Sequence, residues 1–181
     1  MDGINMVIIN KKFTPNAFAK YVQNLPWRWW NRKIDRLVFH HTSSPVEIWA
    51  GSASMLHYWN LYRSRGWKVG PHIFVAPDGI WLFTDMRKQG KHAGPKGNPG
   101  SIGIEIVGNY KDAPPSEKKI CQNIAIVTKI LLEKFHFDKN NIYRHVDFDQ
   151  NTFCSYKIDS RWLYQNLAKY YPMAEMEEKH T

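Results

Sequence analysis

The sequence predicts a single α/β domain in which helices flank a central mixed β-sheet. Short apolar runs of strand length alternate with longer helical patterns along the chain. The turn Pro77–Gly79 joins two of these runs as an antiparallel hairpin, which makes the sheet mixed. With 181 residues, 43% of them hydrophobic, the chain is long enough to bury one core. A doubly wound nucleotide fold fits less well, because no Gly-x-Gly-x-x-Gly or Walker loop is present.

Residues 1–34 are predicted to form a helical and aromatic arm that packs on this domain. Thr14 as N-cap and Pro15 in the first turn begin a helix, and Pro26 ends it. A run of tryptophans and arginines follows: Trp27, Arg28, Trp29, Trp30 and Arg32. We expect this run to anchor the arm and to line part of a groove. A stacking platform for nucleic acid is the lesser alternative.

The first half of the main domain, predicted over 35–172, alternates strand and helix. A buried strand over 37–40 is followed by a helix over about 52–64, with Gly66 as its C-cap. The hairpin strands are predicted at 73–76 and 80–83.

The second half contains a loop, two strands and two helices. Residues 90–100 are rich in Gly, Pro and Lys, which favours an ordered functional loop over a regular element. The predicted elements after it are a strand over 102–107, a helix from about 117 to Phe135, a short strand near 142–143, and a helix from Asp159–Ser160 to just before Pro172. The charged tail over 173–181 is expected to fray.

The formal net charge of +9 favours a polyanionic environment such as nucleic acid, an anionic membrane face or the bacterial cell wall. A merely soluble basic surface is an equal alternative. No apolar stretch approaches the length of a membrane helix, so we expect no membrane insertion. The run Met6–Ile9 is too short for a signal peptide, and we expect cytoplasmic synthesis. Two cysteines argue against a disulfide framework, and Cys121 is expected to be a buried core residue.

His40, His145 and Cys154 are the candidate metal ligands. Two imidazoles and one thiolate leave one corner of a zinc tetrahedron open, which is typical of a catalytic rather than a structural zinc site. Since neighbouring strand side chains point to opposite faces, only one of His40 and His41 can enter the site. A lone histidine in an apolar strand is usually a core residue. The imidazole and thiol of a second loop favour one zinc ion per chain and hydrolysis by its water.

Glu105 is the candidate catalytic carboxylate. In the strand over 102–107 it shares a face with Gly103 and Val107, opposite three isoleucines. A carboxylate among apolar residues is costly to bury unless it is paired or used in chemistry. An equal alternative is that Glu105 lies on a solvated face of the sheet or forms a structural ion pair.

Seven blocks in sequence order resemble the zinc-dependent N-acetylmuramoyl-L-alanine amidases. That superfamily includes phage endolysins, cytoplasmic anhydro-muropeptide amidases and animal peptidoglycan recognition proteins. The similarity covers roughly residues 35–160, and each block is weak alone while the ordered set is specific. The blocks are Phe39–Thr42, Gly66–Trp67, Gly70–Phe74, Pro77–Gly79, Gly90–Gly94, Ser101–Gly108 and His145–Cys154.

The resemblance implies a central mixed sheet flanked by helices, with zinc in a surface groove. It implies that His40, His145 and Cys154 bind zinc and that Glu105 is the general base. It implies that His92 supports the metal site or faces the substrate, and we assign His92 and His72 as candidate substrate-binding residues. The reaction it implies is attack by water on the amide between the lactyl group and L-alanine, with Thr152 or His92 stabilising the oxyanion.

Three positions depart from the family pattern. Pro71 stands where phage lysozyme-type members carry a tyrosine, so a tyrosine-assisted mechanism is not expected there. Thr152 replaces a lysine found in some members, as in the recognition-protein amidases. Ser155–Tyr156 replaces the Pro-Gly that often follows the cysteine, which leaves that turn open.

The function that we expect is that of a phage or prophage endolysin. It would act as a monomer on peptidoglycan of the cell wall after release from the cytoplasm, with no nucleic-acid partner. A cytoplasmic amidase that recycles soluble anhydro-muropeptides uses the same residues and is the first alternative. A non-catalytic peptidoglycan-binding module is the second, although the complete ligand set argues against it.

Overall fold

The computed structural model describes residues 8–26 and 32–171. These residues form six strands and five α-helices, joined by loops and single 3₁₀ turns. The strands are β1 (Lys11–Phe13), β2 (Arg36–His41), β3 (Ile73–Ala76), β4 (Gly79–Leu82), β5 (Ser101–Ile106) and β6 (Ile142–Arg144). The helices are α1 (Pro15–Asn24), α2 (Ser52–Ser64), α3 (Gly94–Gly97), α4 (Lys118–Phe135) and α5 (Ser160–Tyr170).

All six strands belong to one mixed sheet with the order β1-β4-β3-β5-β2-β6. Strand β2 lies between β5 and β6 and is parallel to both, and β3 is parallel to β5. The hairpin strand β4 is antiparallel to β3, and β1 is antiparallel to β4. The predicted α/β class with a central mixed sheet and flanking helices is therefore confirmed.

Helices cover the sheet, which explains why every residue of β5 is buried whichever face it points to. Helix α2 packs Tyr58 and Tyr62 toward the sheet, with Tyr58 5.1 Å from the Phe74 ring and Tyr62 5.7 Å from the Phe83 ring. Helix α4 contacts β3 and β4, and α1 and α5 pack against it. The core is formed by apolar residues of the helices and of both halves of the sheet.

Most element boundaries match the sequence predictions. Helix α2 spans the predicted range and is followed by Gly66 with a positive φ of 69°. Thr14 caps α1 by accepting a hydrogen bond from the backbone of Ala17, and Asp159 caps α5 in the same way. These local signals work because each satisfies backbone groups that the helix leaves unpaired.

Two elements differ from the prediction. Strand β1 was not predicted, because only Phe13 of its three residues is buried and so short a strand shows no alternation. The segment over 90–100 was predicted to lack regular structure but contains the single helical turn α3. Gly94, with a φ of 71°, begins that turn.

The arm contributes β1 to the sheet and α1 to the helical layer, as the pairing of Phe13 with Ile80 shows. The tryptophans at 27, 29 and 30 and the tail over 173–181 lie outside the described residues. The boundaries 1–34, 35–172 and 173–181 therefore stay predictions. Cys121 is buried in α4, as expected. Within the described ranges, no helix has the length and apolar character needed to cross a membrane.

Candidate metal centre

The candidate metal centre lies where the parallel strands β2, β5 and β6 reach their carboxyl ends. His40 is near the end of β2, and Glu105 occupies the paired position of β5. His145 begins a 3₁₀ turn directly after β6. Since the carboxyl ends of parallel strands meet at one edge of a sheet, three distant segments place polar side chains together there.

The three predicted metal ligands converge at this edge. Among the described residues, the ligand atoms of His40, His145 and Cys154 all lie within 4.8 Å of one another. The Cys154 Sγ atom is 3.5 Å from His40 Nδ1. Usual zinc–sulfur and zinc–nitrogen bond lengths in a tetrahedron imply about 3.5 Å for such a pair. The donor set and spacing therefore fit a metal ion such as zinc.

An arginine–aspartate pair holds the loop that carries His145 and Cys154. Arg144 Nη2 lies 2.7 Å from Asp147 Oδ1, and the Arg144 backbone N–H donates to Asp147 Oδ2. A second guanidinium N–H of Arg144 donates to the Tyr156 carbonyl beyond Cys154. Arg144 therefore links both ends of the loop.

Two hydroxyl groups hold the backbone around Cys154 in place. Thr152 Oγ1 accepts the Cys154 backbone N–H at 3.0 Å. Ser155 adopts a left-handed φ of 52°, and its buried hydroxyl donates to the Phe39 carbonyl of β2. The turn after Cys154, whose conformation the sequence did not predict, is thus hydrogen-bonded to β2. The His41 backbone N–H points at Cys154 Sγ from 3.5 Å.

His40 and His41 separate to opposite faces of β2, as predicted. The His41 ring lies away from the cluster, where its Nδ1 accepts the Tyr110 backbone N–H. The His40 ring lies 4.8 Å from the His145 ring, measured between centroids. Burial, and then the positive charge that His145 and His41 can carry, hold the pKa of His40 well below its usual value. His40 is therefore neutral, as a metal ligand must be.

His92 is buried between His40 and Ser101. Its Nδ1 atom lies 3.0 Å from His40 Nε2, and its Nε2 atom lies 3.0 Å from Ser101 Oγ. Burial, followed by the neighbouring histidines, lowers the pKa of His92 well below its usual value. Both ring nitrogens have protein partners, which favours support of His40 over contact with substrate.

His72 is also an interior residue. Its side chain is fully buried, its Nδ1 accepts the Gly103 backbone N–H, and its Nε2 lies 3.0 Å from the Lys88 carbonyl. Burial and then the Arg32 guanidinium lower the pKa of His72 to about 3. With both nitrogens bonded to backbone, the geometry points to structural bridging of three segments rather than to the predicted contact with substrate.

Glu105 shares the His40 face of the sheet and is 8% exposed. No group among the described residues hydrogen-bonds to its carboxylate or forms an ion pair with it. Burial raises the pKa of Glu105 from 4.5 to about 8. Burial, and then the Glu105 charge, also raise the pKa of the Cys154 thiol. A carboxyl group that titrates near neutral pH can both accept and return a proton.

The residues that sequence reasoning missed are Asn98, Ser101 and Gly103, which surround His92. A Cβ atom on Gly103 would lie 2.5 Å from the His92 ring, so only glycine leaves room for that ring. A glycine inside an apolar strand, two residues before Glu105, is the signal that could have indicated this close approach. Asn98 and Ser101 offered no comparable signal.

A cavity of about 290 Å³ lies between helix α2 and the loop that precedes it. Its lining residues include Ser44, Ile48, Trp49, His57 and Val107. The Trp49 indole donates to Asp78 and its ring stacks near Phe74, so packing accounts for much of this side chain.

Solved structures share this fold. The N-acetylmuramoyl-L-alanine amidase LysC from Clostridium intestinale matches with a TM-score of 0.60 and 20% identity, over 77% of this chain and 85% of its own. A mutant endolysin from Bacillus subtilis matches with a TM-score of 0.59 and 22% identity, over 77% of this chain and 86% of its own. The Drosophila recognition protein PGRP-LB matches with a TM-score of 0.58 and 22% identity, over 79% of this chain and 84% of its own.

The sequence is also similar to peptidoglycan recognition protein 1 of Bos indicus, with 31% identity over 86 residues, or 44% of each chain. The Bos taurus protein is 35% identical over 65 residues, 35% of this chain and 34% of its own. The chain thus spans less than half the length of these curated relatives. The profile of the N-acetylmuramoyl-L-alanine amidase family matches residues 30–159, most of the chain. The chain therefore belongs to the N-acetylmuramoyl-L-alanine amidase family.

Proposed function

We propose that this protein is a zinc-dependent peptidoglycan amidase. It hydrolyses the amide between the lactyl group of N-acetylmuramic acid and the L-alanine of the stem peptide. The observation that carries this proposal is the convergence of His40, His145 and Cys154 beside the buried carboxyl group of Glu105. Family membership supplies the bond type, and the ligand set supplies the chemistry.

The three ligands suit zinc, because imidazole nitrogen and thiolate sulfur are the donors that zinc prefers. His40, His145 and Cys154 would hold the ion, which would supply acidification of a water and polarisation of a carbonyl group. The His41 backbone N–H, directed at Cys154 Sγ, favours the thiolate that such a ligand must be.

Glu105 is the general base and then the general acid. It accepts the proton of the attacking water and returns that proton to the departing amine of L-alanine, so one residue completes the cycle. Its placement opposite His40 in the sheet register supports this assignment.

Thr152 is the proposed hydrogen-bond donor to the tetrahedral oxyanion. Its oxygen accepts the Cys154 backbone N–H, which leaves the hydroxyl proton free for a ligand. His92 is a weaker candidate for this role, because both of its nitrogens already have protein partners. Pro71 offers no donor at the position where some relatives use tyrosine.

The rim of the site is aromatic and basic. Phe153, next to the ligand Cys154, is 62% exposed, and Lys111 Nζ lies 4.7 Å from its ring centroid. This pair suits a sugar or lactyl face beside a stem-peptide carboxylate. The net charge of +9 favours the anionic cell wall in the same way. A monomeric endolysin that reaches the wall after release is the biological role that we propose.

Mass spectrometry of digested peptidoglycan tests the bond assignment. Purified sacculi treated with the protein should lose turbidity and release stem peptides with new N-terminal L-alanine. Cys154→Ala should hold less zinc and release none of these peptides. New reducing sugar ends would contradict the assignment, and unchanged zinc in Cys154→Ala would contradict the ligand set.

The same assay separates the alternatives. Faster hydrolysis of small anhydro-muropeptides than of sacculi would favour a cytoplasmic recycling amidase. Binding of sacculi without any peptide release, by a protein that holds zinc, would favour a non-catalytic binding module.

A further inference from the structure

The hydrogen bonds that link Asn98, Ser101 and His92 form a chain in which each donor and acceptor can be assigned, beginning at the Asn98 carbonyl. A backbone carbonyl can only accept, so the Ser101 hydroxyl, 2.8 Å from the Asn98 carbonyl oxygen, donates its proton there. The Ser101 oxygen is then left as an acceptor for its other neighbour. That neighbour is His92 Nε2 at 3.0 Å, which must carry the proton.

The direction then passes through His92 to His40. A neutral imidazole has one proton, so His92 with a proton on Nε2 presents a lone pair on Nδ1. His40 Nε2, 3.0 Å away, must donate to that lone pair. The second nitrogen of His40, Nδ1, is left without a proton and lies 3.5 Å from Cys154 Sγ.

We propose that Asn98, Ser101 and His92 form a positioning relay that fixes His40 as the Nε2–H tautomer and so presents the Nδ1 lone pair to the metal. This inference rests on the proposed metal centre. None of the three residues touches the reacting atoms; they act through His40. The relay also assigns a purpose to the Gly- and Pro-rich segment over 90–100.

Two further features hold the relay in place. The Asn98 side-chain oxygen accepts the backbone N–H groups of His92 and Ala93, at 2.9 and 2.7 Å, which fixes the segment that bears His92. The missing side chain of Gly103 leaves the space that the His92 ring fills. Asn98 therefore both anchors the backbone at His92 and supplies the carbonyl at which the hydrogen-bond chain starts.

Loss of the Ser101 hydroxyl should release this constraint. Without its acceptor, His92 can place its proton on Nδ1, and His40 Nε2 must then accept. His40 would carry its proton on Nδ1, the nitrogen that the metal needs. Partners that orient a metal-bound histidine are typically worth a factor of 10 to 100 in metal affinity.

The first test is the tautomer state of the metal-free protein, measured by long-range ¹H–¹⁵N NMR of the histidine rings. The expected result is that His40 and His92 both carry their proton on Nε2. In Ser101→Ala we expect the His40 signals to shift toward the Nδ1–H form. A wild-type His40 already protonated on Nδ1 would overturn the relay.

The second test is zinc affinity, measured by competition with a chelator. Ser101→Ala should bind zinc about 10- to 100-fold more weakly than wild type. Thr128→Val is the matched control, because it removes another buried hydroxyl, which lies in helix α4. We expect its zinc affinity to stay within about threefold of wild type.

Variants of His92 test the relay independently, in case Ser101→Ala does not fold. In His92→Asn the amide oxygen can replace Nδ1 as acceptor for His40, whereas His92→Ala offers none. We therefore expect His92→Asn to bind zinc more tightly than His92→Ala. Equal zinc affinity in wild type, Ser101→Ala and His92→Ala would refute the relay and leave the metal centre standing. A folded wild-type protein that binds no zinc would instead refute the metal centre itself.

Discussion

The two halves of the sheet bury different kinds of side chain. In the hairpin half, β1, β3 and β4, the buried side chains are apolar, and aromatic rings such as those of Phe74 and Phe83 contact one another. In the other half, β2 and β5 bury His40, Ser101 and Glu105 in addition to their apolar residues. Burying polar groups costs free energy, so these three residues are expected to stabilise the fold less than apolar residues would at the same positions. This difference predicts that substitutions in the hairpin half change mainly stability, whereas substitutions at the proposed site change mainly activity.

Among substitutions that leave the proposed metal ligands in place, Glu105→Gln should have the largest effect on function. The amide keeps the shape of the side chain but cannot accept a proton, so we expect release of stem peptides to fall by about 10²- to 10⁴-fold. Zinc content should stay at the wild-type level, because Glu105 is not a proposed ligand. The measurement is the rate of peptide release together with metal analysis. Wild-type activity in Glu105→Gln would show that this carboxyl group is not the general base.

The same substitution should stabilise the metal-free protein at alkaline pH. The pKa of Glu105 is about 8 in the folded protein, against its usual 4.5. Between these two values the carboxyl group ionises in the unfolded chain but not in the folded one, so the free energy of unfolding falls as pH rises. The stability that wild type loses over this range, on the order of 5 kcal/mol at most, is retained by Glu105→Gln.

Urea unfolding with a chelator at pH 5 and at pH 8.5 measures this difference. We expect Glu105→Gln and wild type to be nearly equal at pH 5, with the variant clearly more stable at pH 8.5. Comparing the two proteins at each pH cancels the titration of the buried histidines. A difference that does not change with pH would mean that the carboxyl group is solvated.

A core substitution in the hairpin half should show the opposite pattern. Ile80 in β4 is fully buried, and Ile80→Ala should lower the free energy of unfolding by about 2–5 kcal/mol through lost contacts and a cavity. The zinc affinity of the folded protein should be unchanged. Ile80→Val, expected to cost about 1 kcal/mol, is the graded control. If Ile80→Ala weakened zinc binding while still folded, the two halves would be coupled.

The hairpin half and the helices could largely be predicted from sequence. Hydrophobic spacing, Thr14 and Asp159 as caps and Gly66 after α2 are local signals, and local backbone hydrogen bonding decides those boundaries. Strand β1 could not be predicted, since its pairing with β4 is a tertiary contact and only Phe13 faces the core.

The site could be predicted only in part, because ligand chemistry is visible in sequence and hydrogen-bond partners are not. The types of His40, His145 and Cys154, together with the family resemblance, were enough to predict that they converge around one metal ion. The interior positions of His72 and His92 depend on backbone groups of other segments, such as the Gly103 N–H and the Lys88 carbonyl. Sequence spacing carries no information on those contacts.

Thr128 offers the smallest and sharpest test of the comparison, because it is a buried polar group outside the site. Its hydroxyl, in α4, has no hydrogen-bond partner among the described residues. Thr128→Val replaces that hydroxyl with a methyl group of similar size. We expect the free energy of unfolding to rise by about 1 kcal/mol, because an unsatisfied buried hydroxyl is removed.

Chemical denaturation measures this change, and Thr128→Ser is its control. Serine keeps the hydroxyl and loses a methyl group, so it should be less stable than wild type. Zinc affinity and peptide release should not change in either variant. Since the buried polar groups of β2 and β5 are proposed to serve chemistry, removing one that does not serve it should stabilise the protein at no cost to activity. A destabilised Thr128→Val would show that this hydroxyl has a partner such as a buried water.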